Sequence, residues 1–150
     1  LMITDPLKYI KPFAESGADM ITFHLESDSD TMAVLDAIHG AGLKAGIAVK
    51  PATPVSKLIP FVGKAEMFLI MTVEPGFGGQ GFIPETLEKI SELRKILNDS
   101  GSNAIIQTDG GINGKTAPLV RKAGCSCLVS GSYLFKAENM ADAVKTVRGC

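Results

Sequence analysis

Five glycines stand where an amphipathic stretch ends and an apolar one begins, and this spacing constrains the fold more than any other feature of the chain. Gly17 precedes "ADMITFHL", Gly42 precedes "LKAGIAVK", Gly63 precedes "KAEMFLIMTV", Gly101 precedes "SNAIIQTD" and Gly124 precedes "CSCLVSG". A glycine that takes up the left-handed conformation closes a helix without steric cost, so each site reads as a helix-to-strand junction. The segments that follow are short, nearly continuous apolar runs, the signature of parallel strands buried on both faces. Strands are expected at 19–25, 44–50, 65–73, 104–109 and 126–130. Parallel strands need helical crossovers. Thr31 to Gly40 supplies one, with apolar residues at 32, 35 and 38. Another runs from Pro84 to Asn98, with Leu87, Ile90, Leu93 and Leu97 on one face and Glu85 and Glu88 near its positive end. Helices are also expected at 114–123 and 138–148. A first helix opens on Asp5 as N-cap and Pro6, and Pro12 should break or kink it. Strict alternation means an α/β chain.

Two α/β architectures compete, a doubly wound sheet and a (β/α)₈ barrel. "GFGGQG" follows a strand, but no acidic residue closes the next strand at the spacing of a dinucleotide fingerprint. The barrel is favoured because polar and glycine-rich residues gather at the C-terminal strand ends: His24 with Glu26, Lys50, 74–81, 109–111, and Gly131 with Ser132. In a barrel those ends share one mouth. Five strands cannot close one, so the expectation is a partial TIM barrel, a single domain over 1–150.

Charge and hydropathy narrow the function. Fifteen basic and sixteen acidic residues leave a net charge of −1, which gives no electrostatic reason to expect nucleic acid or an anionic membrane surface as partner. No apolar run reaches the roughly 20 residues that span a bilayer, and the first residues lack signal-peptide order. A cytoplasmic protein is expected. Cys125, Cys127 and Cys150 sit in no metal-type spacing and read as reduced structural thiols.

Three consecutive strands are followed by glycine-rich turns, "PGFGGQ", "DGGINGKT" and "SGS". Backbone N–H groups in such turns, at helix starts, make anion sites that need no lysine. The alternative for each is that its glycines merely make tight βα turns. Asp109, at a strand tip, has two readings: it caps the next helix, or it acts as a general acid/base or metal ligand. His24, with no second histidine near it, reads as a hydrogen-bonded structural residue. His39 falls late in a helix, where a cation favours the dipole. Met67 and Met71 pack in the core, although Met71 is close enough to the strand end to line the mouth.

"MTVEPGFGGQGFIP", with "DGGI" and "SGS" downstream and "ITFHLES" and "GIAVKPATP" upstream, resembles the ribulose-phosphate 3-epimerase family across the whole chain. The resemblance implies a (β/α)₈ barrel that interconverts D-ribulose 5-phosphate and D-xylulose 5-phosphate. In that family one aspartate removes the C3 proton, a divalent metal of zinc, iron or manganese type stabilises the enediolate, and a second aspartate delivers a proton to the opposite face. It implies that Asp109 is that second aspartate, proton donor and metal ligand together. Gly76, Phe77, Gly78 and Gly79 match the loop over the substrate, Gly110 and Gly111 the next phosphate contact, Gly131 and Ser132 the last, and Met71 a shielding methionine. The family's His-x-Asp pair and third-strand histidine find no match here. The sequence is therefore expected to be strands 4 to 8 of an epimerase, with three βα units outside it, inactive alone and homo-oligomeric; edge-hiding self-association belongs to the non-catalytic alternative. Allulose 6-phosphate 3-epimerase, or a non-catalytic sugar-phosphate-binding partial barrel, are the alternatives.

Overall fold

The computed structural model describes residues 1–149. Five parallel strands form one sheet in sequential order: β1 (Met20–His24), β2 (Lys44–Val49), β3 (Met67–Met71), β4 (Ile105–Asp109) and β5 (Cys127–Val129). All five expected strands are present, each trimmed at its ends. The junction glycines 17, 42, 63, 101 and 124 all have left-handed φ, between 67° and 109°, as closure of a helix ahead of a strand requires.

The crossovers are α1 (Ile10–Glu15), α2 (Thr31–Gly40), α3 (Thr86–Asp99), α4 (Ala117–Lys122), α5 (Ser132–Phe135) and α6 (Met140–Arg148). Asp30 caps α2 by accepting from the Ala33 N–H at 2.8 Å, and Asn139 caps α6 through the Asp142 N–H. The first helix is split into a 3₁₀ turn, Pro6–Tyr9, and α1. Pro12 falls within the first turn of α1, where its missing N–H leaves no bond unmade. Asp5 stands at the N-cap position but makes no cap bond; its carboxylate accepts from the Ser29 hydroxyl at 2.8 Å and pairs with Lys8. Two elements were not expected, α5 and a 3₁₀ helix, Val55–Phe61, that joins β2 to β3. Pro54 and Pro60 hide the second from any helical pattern.

Alternate residues along each strand face opposite ways, and the ladder register aligns them into two faces. Ile21, Phe23, Ile47, Phe68, Ile70 and Ile106 belong to one face, and all are buried in the core shared with Leu35, Ile38, Ile90, Leu93 and Leu97 of the helices. Burying each such side chain fully stabilises by about 1.5–3 kcal/mol, so Leu93→Ala on α3 would cost about 2–5 kcal/mol. The other face carries Thr22, His24, Ala48, Met71, Gln107, Asp109 and Val129 in register. Here the expectation of strands buried on both faces is corrected. It holds for the central β2 and β3, whereas Ile105 on β4 is 41% exposed and β5 has no fully buried residue. The core helices pack on the first face, and the second is open on the side of β4 and β5.

Cys125 is buried, with its Sγ beside the Thr108 hydroxyl at 3.4 Å, and burial pushes its thiol pKa up. It is an inert core thiol. Cys127 is free and partly exposed, and Cys150 lies outside the described residues.

Candidate active site

The loops that follow β3, β4 and β5 surround a cleft of about 530 Å³ at the C-terminal end of the sheet. Gly78 and Gly79 come from the first loop, Asp109, Gly110 and Gly111 from the second, and Gly131 and Ser132 from the third. Gly76, Phe77 and Met71 are outside its lining. Gly76 sits earlier in the first loop. Phe77 is 76% exposed and does not cover the cleft, and Met71 is 2% exposed on the strand beside Asp109.

The glycines are present for two different physical reasons. Gly110 has φ 122° and Gly111 has φ 65°; a Cβ on Gly110 would stand 2.9 Å from the Val73 backbone nitrogen, and one on Gly111 2.6 Å from that of Phe82. These two are required by backbone conformation and packing, as the tight-turn alternative holds. Gly78 and Gly131 are different. Neither has a left-handed φ, and nothing lies within 4 Å of a Cβ built on either. No neighbour among the described residues excludes a side chain there, and both line the cleft.

The turn after β4 is organised by three side chains. The Thr72 N–H donates to the Asp109 carbonyl at 2.8 Å, and the buried Thr72 hydroxyl is 2.9 Å from that carbonyl and 2.6 Å from that of Gly110. Asn113 accepts from the Lys115 and Thr116 N–H groups and donates to the Gly111 carbonyl, while the Thr116 hydroxyl also donates to that carbonyl at 2.9 Å. The reading of Asp109 as a helix cap is corrected: α4 begins only at Ala117, its N-cap Thr116 makes no side-chain cap bond, and Asn113 orders the turn that separates it from Asp109. Asp109 has no hydrogen bond or ion pair to its carboxylate among the described residues, and burial raises its pKa above 3.8. A half-buried carboxylate that no protein group holds is available for proton transfer.

At the tip of β1, Glu26 ties two loops together. Its carboxylate accepts from the Lys50 N–H at 2.9 Å and from the Thr53 hydroxyl, and it lies 3.3 Å from His24 Nδ1. Burial pushes Glu26 upward, but those donors outweigh it and hold it below 4.5. His24 is buried, and burial lowers its pKa despite Glu26. It is the hydrogen-bonded structural histidine expected. His39 pairs with Glu66 at 3.2 Å on the outer surface. From α3, Lys89 donates to the Lys50 and Pro51 carbonyls at 2.8 and 2.9 Å, which pins the same loop. No three His, Cys, Asp or Glu side chains converge among the described residues. Asp109 is thus a lone potential ligand, and these residues do not by themselves make a divalent-ion site.

Thr72, Asn113, Tyr133 and Lys136 escaped the sequence reading. Only Lys136 left a legible signal, its place four residues after Ser132.

Residues 1–135 match the Ribulose-phosphate 3 epimerase family. The ribulose-phosphate 3-epimerase of Mycobacterium tuberculosis (strain ATCC 25618 / H37Rv) is 41% identical over 148 residues, a span that covers 99% of this chain and 65% of the relative. That of Bacillus subtilis (strain 168) is 39% identical over 150 residues, covering 99% and 69%. The chain therefore spans about 65% of the length of the mycobacterial relative. Among solved structures, 3-hexulose-6-phosphate synthase from Salmonella typhimurium superposes with a TM-score of 0.73 at 19% identity, covering 98% of this chain and 68% of that one. A tryptophan synthase alpha-subunit from Pyrococcus furiosus gives 0.70 at 16%, covering 97% and 61%. These likenesses show the fold, a parallel portion of a (β/α)₈ barrel.

Proposed function

Because the chain belongs to the ribulose-phosphate 3 epimerase family, we propose that its cleft holds a ketose 5-phosphate during C3 epimerisation between D-ribulose 5-phosphate and D-xylulose 5-phosphate. The observation that carries this reading is Asp109, an unpaired carboxylate on a cleft whose facing loops present Gly78 and Gly131 with open space above them. Those two loops let backbone amides approach the ligand, and Ser132 adds a hydroxyl. Together they would hold the phosphate. Asp109, kept protonated to higher pH than a free aspartate, would deliver a proton to C3 of the enediolate. Gly110 and Gly111 set the turn that aims it.

Epimerisation also needs a group that removes the C3 proton from the opposite face. Asp109 is the only carboxylate that lines the cleft among the described residues, so the 150-residue chain is proposed to bind without turnover. The second reading, a sugar-phosphate-binding partial barrel, describes that same state. The described residues form no divalent-ion site, and no step is routed through an ion. No helix among the described residues is long and apolar enough to cross a membrane. Cytoplasmic residence and self-association through the β1 and β5 edges belong to the proposal.

Titration calorimetry of the 150-residue chain with D-ribulose 5-phosphate, alongside a coupled epimerisation assay, tests the proposal. Binding that Gly78→Val and Gly131→Val abolish is expected, with no turnover. Absence of binding at millimolar ligand overturns the site, and turnover overturns the assignment of a missing base. D-Allulose 6-phosphate in the same titration identifies which ketose phosphate fits.

A further inference from the structure

Among the described residues only two charged side chains line the cleft, Asp109 at the tip of β4 and Lys136 at the C-terminal end of α5. The rest of the lining is glycine, neutral polar or apolar. Lys136 follows Ser132 by four residues, across the single turn of α5, and this spacing places both on one side of that turn. It makes no ion pair among the described residues. A four-residue helix offers almost no dipole for a cation to balance, so its own element gives Lys136 no electrostatic task.

We infer that Lys136 is the cationic phosphate contact of the cleft, and that its charge, opposed to that of Asp109, fixes which end of the sugar phosphate enters which side. The inference rests on the reading of the cleft as a sugar-phosphate site, and it adds a charge-selecting residue that the glycine loops do not supply. Backbone amides offer partial positive charges that already favour a phosphate oxygen over a neutral hydroxyl. An ammonium adds a full charge to that preference. With a net charge of −1 the chain as a whole does not draw anions in, so a full positive charge facing the phosphate has to be local. A phosphate placed beside Asp109 would meet a carboxylate, whereas beside Gly131, Ser132 and Lys136 it meets donors only. The carbon skeleton is then directed towards Asp109.

The test is calorimetry with D-ribulose 5-phosphate and with inorganic phosphate, at low and raised salt, on the wild-type chain, Lys136→Gln and Lys136→Arg, with circular dichroism to show that each is folded. Lys136→Gln is expected to weaken both ligands about tenfold and to flatten the salt dependence, and Lys136→Arg to stay within about threefold of wild type. If wild type binds and Lys136→Gln binds equally well with the same salt response, the inference falls and the site survives. If wild type binds neither ligand, the site reading falls and takes this inference with it.

Discussion

Gly111 is packed so closely against Phe82 that a Cβ on it would stand 2.6 Å from the Phe82 nitrogen and 2.8 Å from its Cα. Both obstacles are backbone and cannot rotate away. With φ at 65°, Gly111→Ala adds about 1–2 kcal/mol of left-handed strain and about 1–3 kcal/mol of overpacking. A loss of about 2–5 kcal/mol in urea unfolding is expected. Gly78→Ala is the contrast. Its Cβ meets nothing within 4 Å, so stability should hold within about 0.5 kcal/mol, while affinity for D-ribulose 5-phosphate drops about tenfold or more. Unchanged affinity would mean that the ligand does not approach this loop.

Thr72→Val keeps the side-chain shape and removes the hydroxyl that the Asp109 and Gly110 carbonyls share. The Thr72 N–H still serves Asp109, so Gly110 is the group left short. Loss of this part-buried hydrogen bond costs about 0.5–1.5 kcal/mol, to be read from the urea midpoint, and Thr72→Ser should recover part of it. Equal stability of Thr72→Val and wild type would show that the hydroxyl does not brace the turn.

Asp109 carries a pKa raised by burial, so its charge weakens the folded state once both folded and unfolded forms ionise. Below 3.8 both are protonated and nothing is lost. As pH rises from there through the raised folded value, the folded state gives up its proton less readily than the unfolded chain, and stability declines. Asp109→Asn should therefore unfold at a higher urea concentration than wild type at pH 7 and match it near pH 3. A lower midpoint at pH 7 would point to a partner for the carboxylate.

Glu26 has the opposite sign. Its folded pKa lies below 4.5, so its contribution is present above that value and lost as pH falls through the folded pKa. Glu26→Gln is expected to cost about 1–2 kcal/mol at pH 7 and progressively less in acid. A cost that stays constant down to pH 3 would assign the effect to shape rather than charge.

The parts of the fold legible from sequence are those encoded locally. Gly17, Gly42, Gly63, Gly101 and Gly124 mark their junctions because a helix end and its left-handed residue are neighbours in the chain. The convergence of three glycine loops followed from the rule that parallel strands carry their C-terminal ends to one side. What stayed hidden depends on distant partners. Nothing near Gly110 or Gly111 announces Val73 and Phe82, so glycines needed for packing look the same in sequence as glycines with open space. The grip of Glu26 on Lys50 and Thr53 likewise joins segments that only the β1–β2 pairing brings together. Asp109 looked like a helix cap because α4 was expected at 114, and the Asn113 turn takes up the space between.

Sequential strand order bears on folding kinetics as well as shape. Each strand docks beside the one synthesised just before it, so the sheet can grow one neighbour at a time with only modest loops to close. The longest of the four excursions runs from Met71 to Ile105 and contains the glycine loop. Doubling a flexible loop raises its closure cost by only about 0.6 kcal/mol. Chain closure therefore sets no tight limit on the length of this excursion, and what holds its glycine loop in place is the packing of Phe82 on Gly111 and of α3 on the sheet.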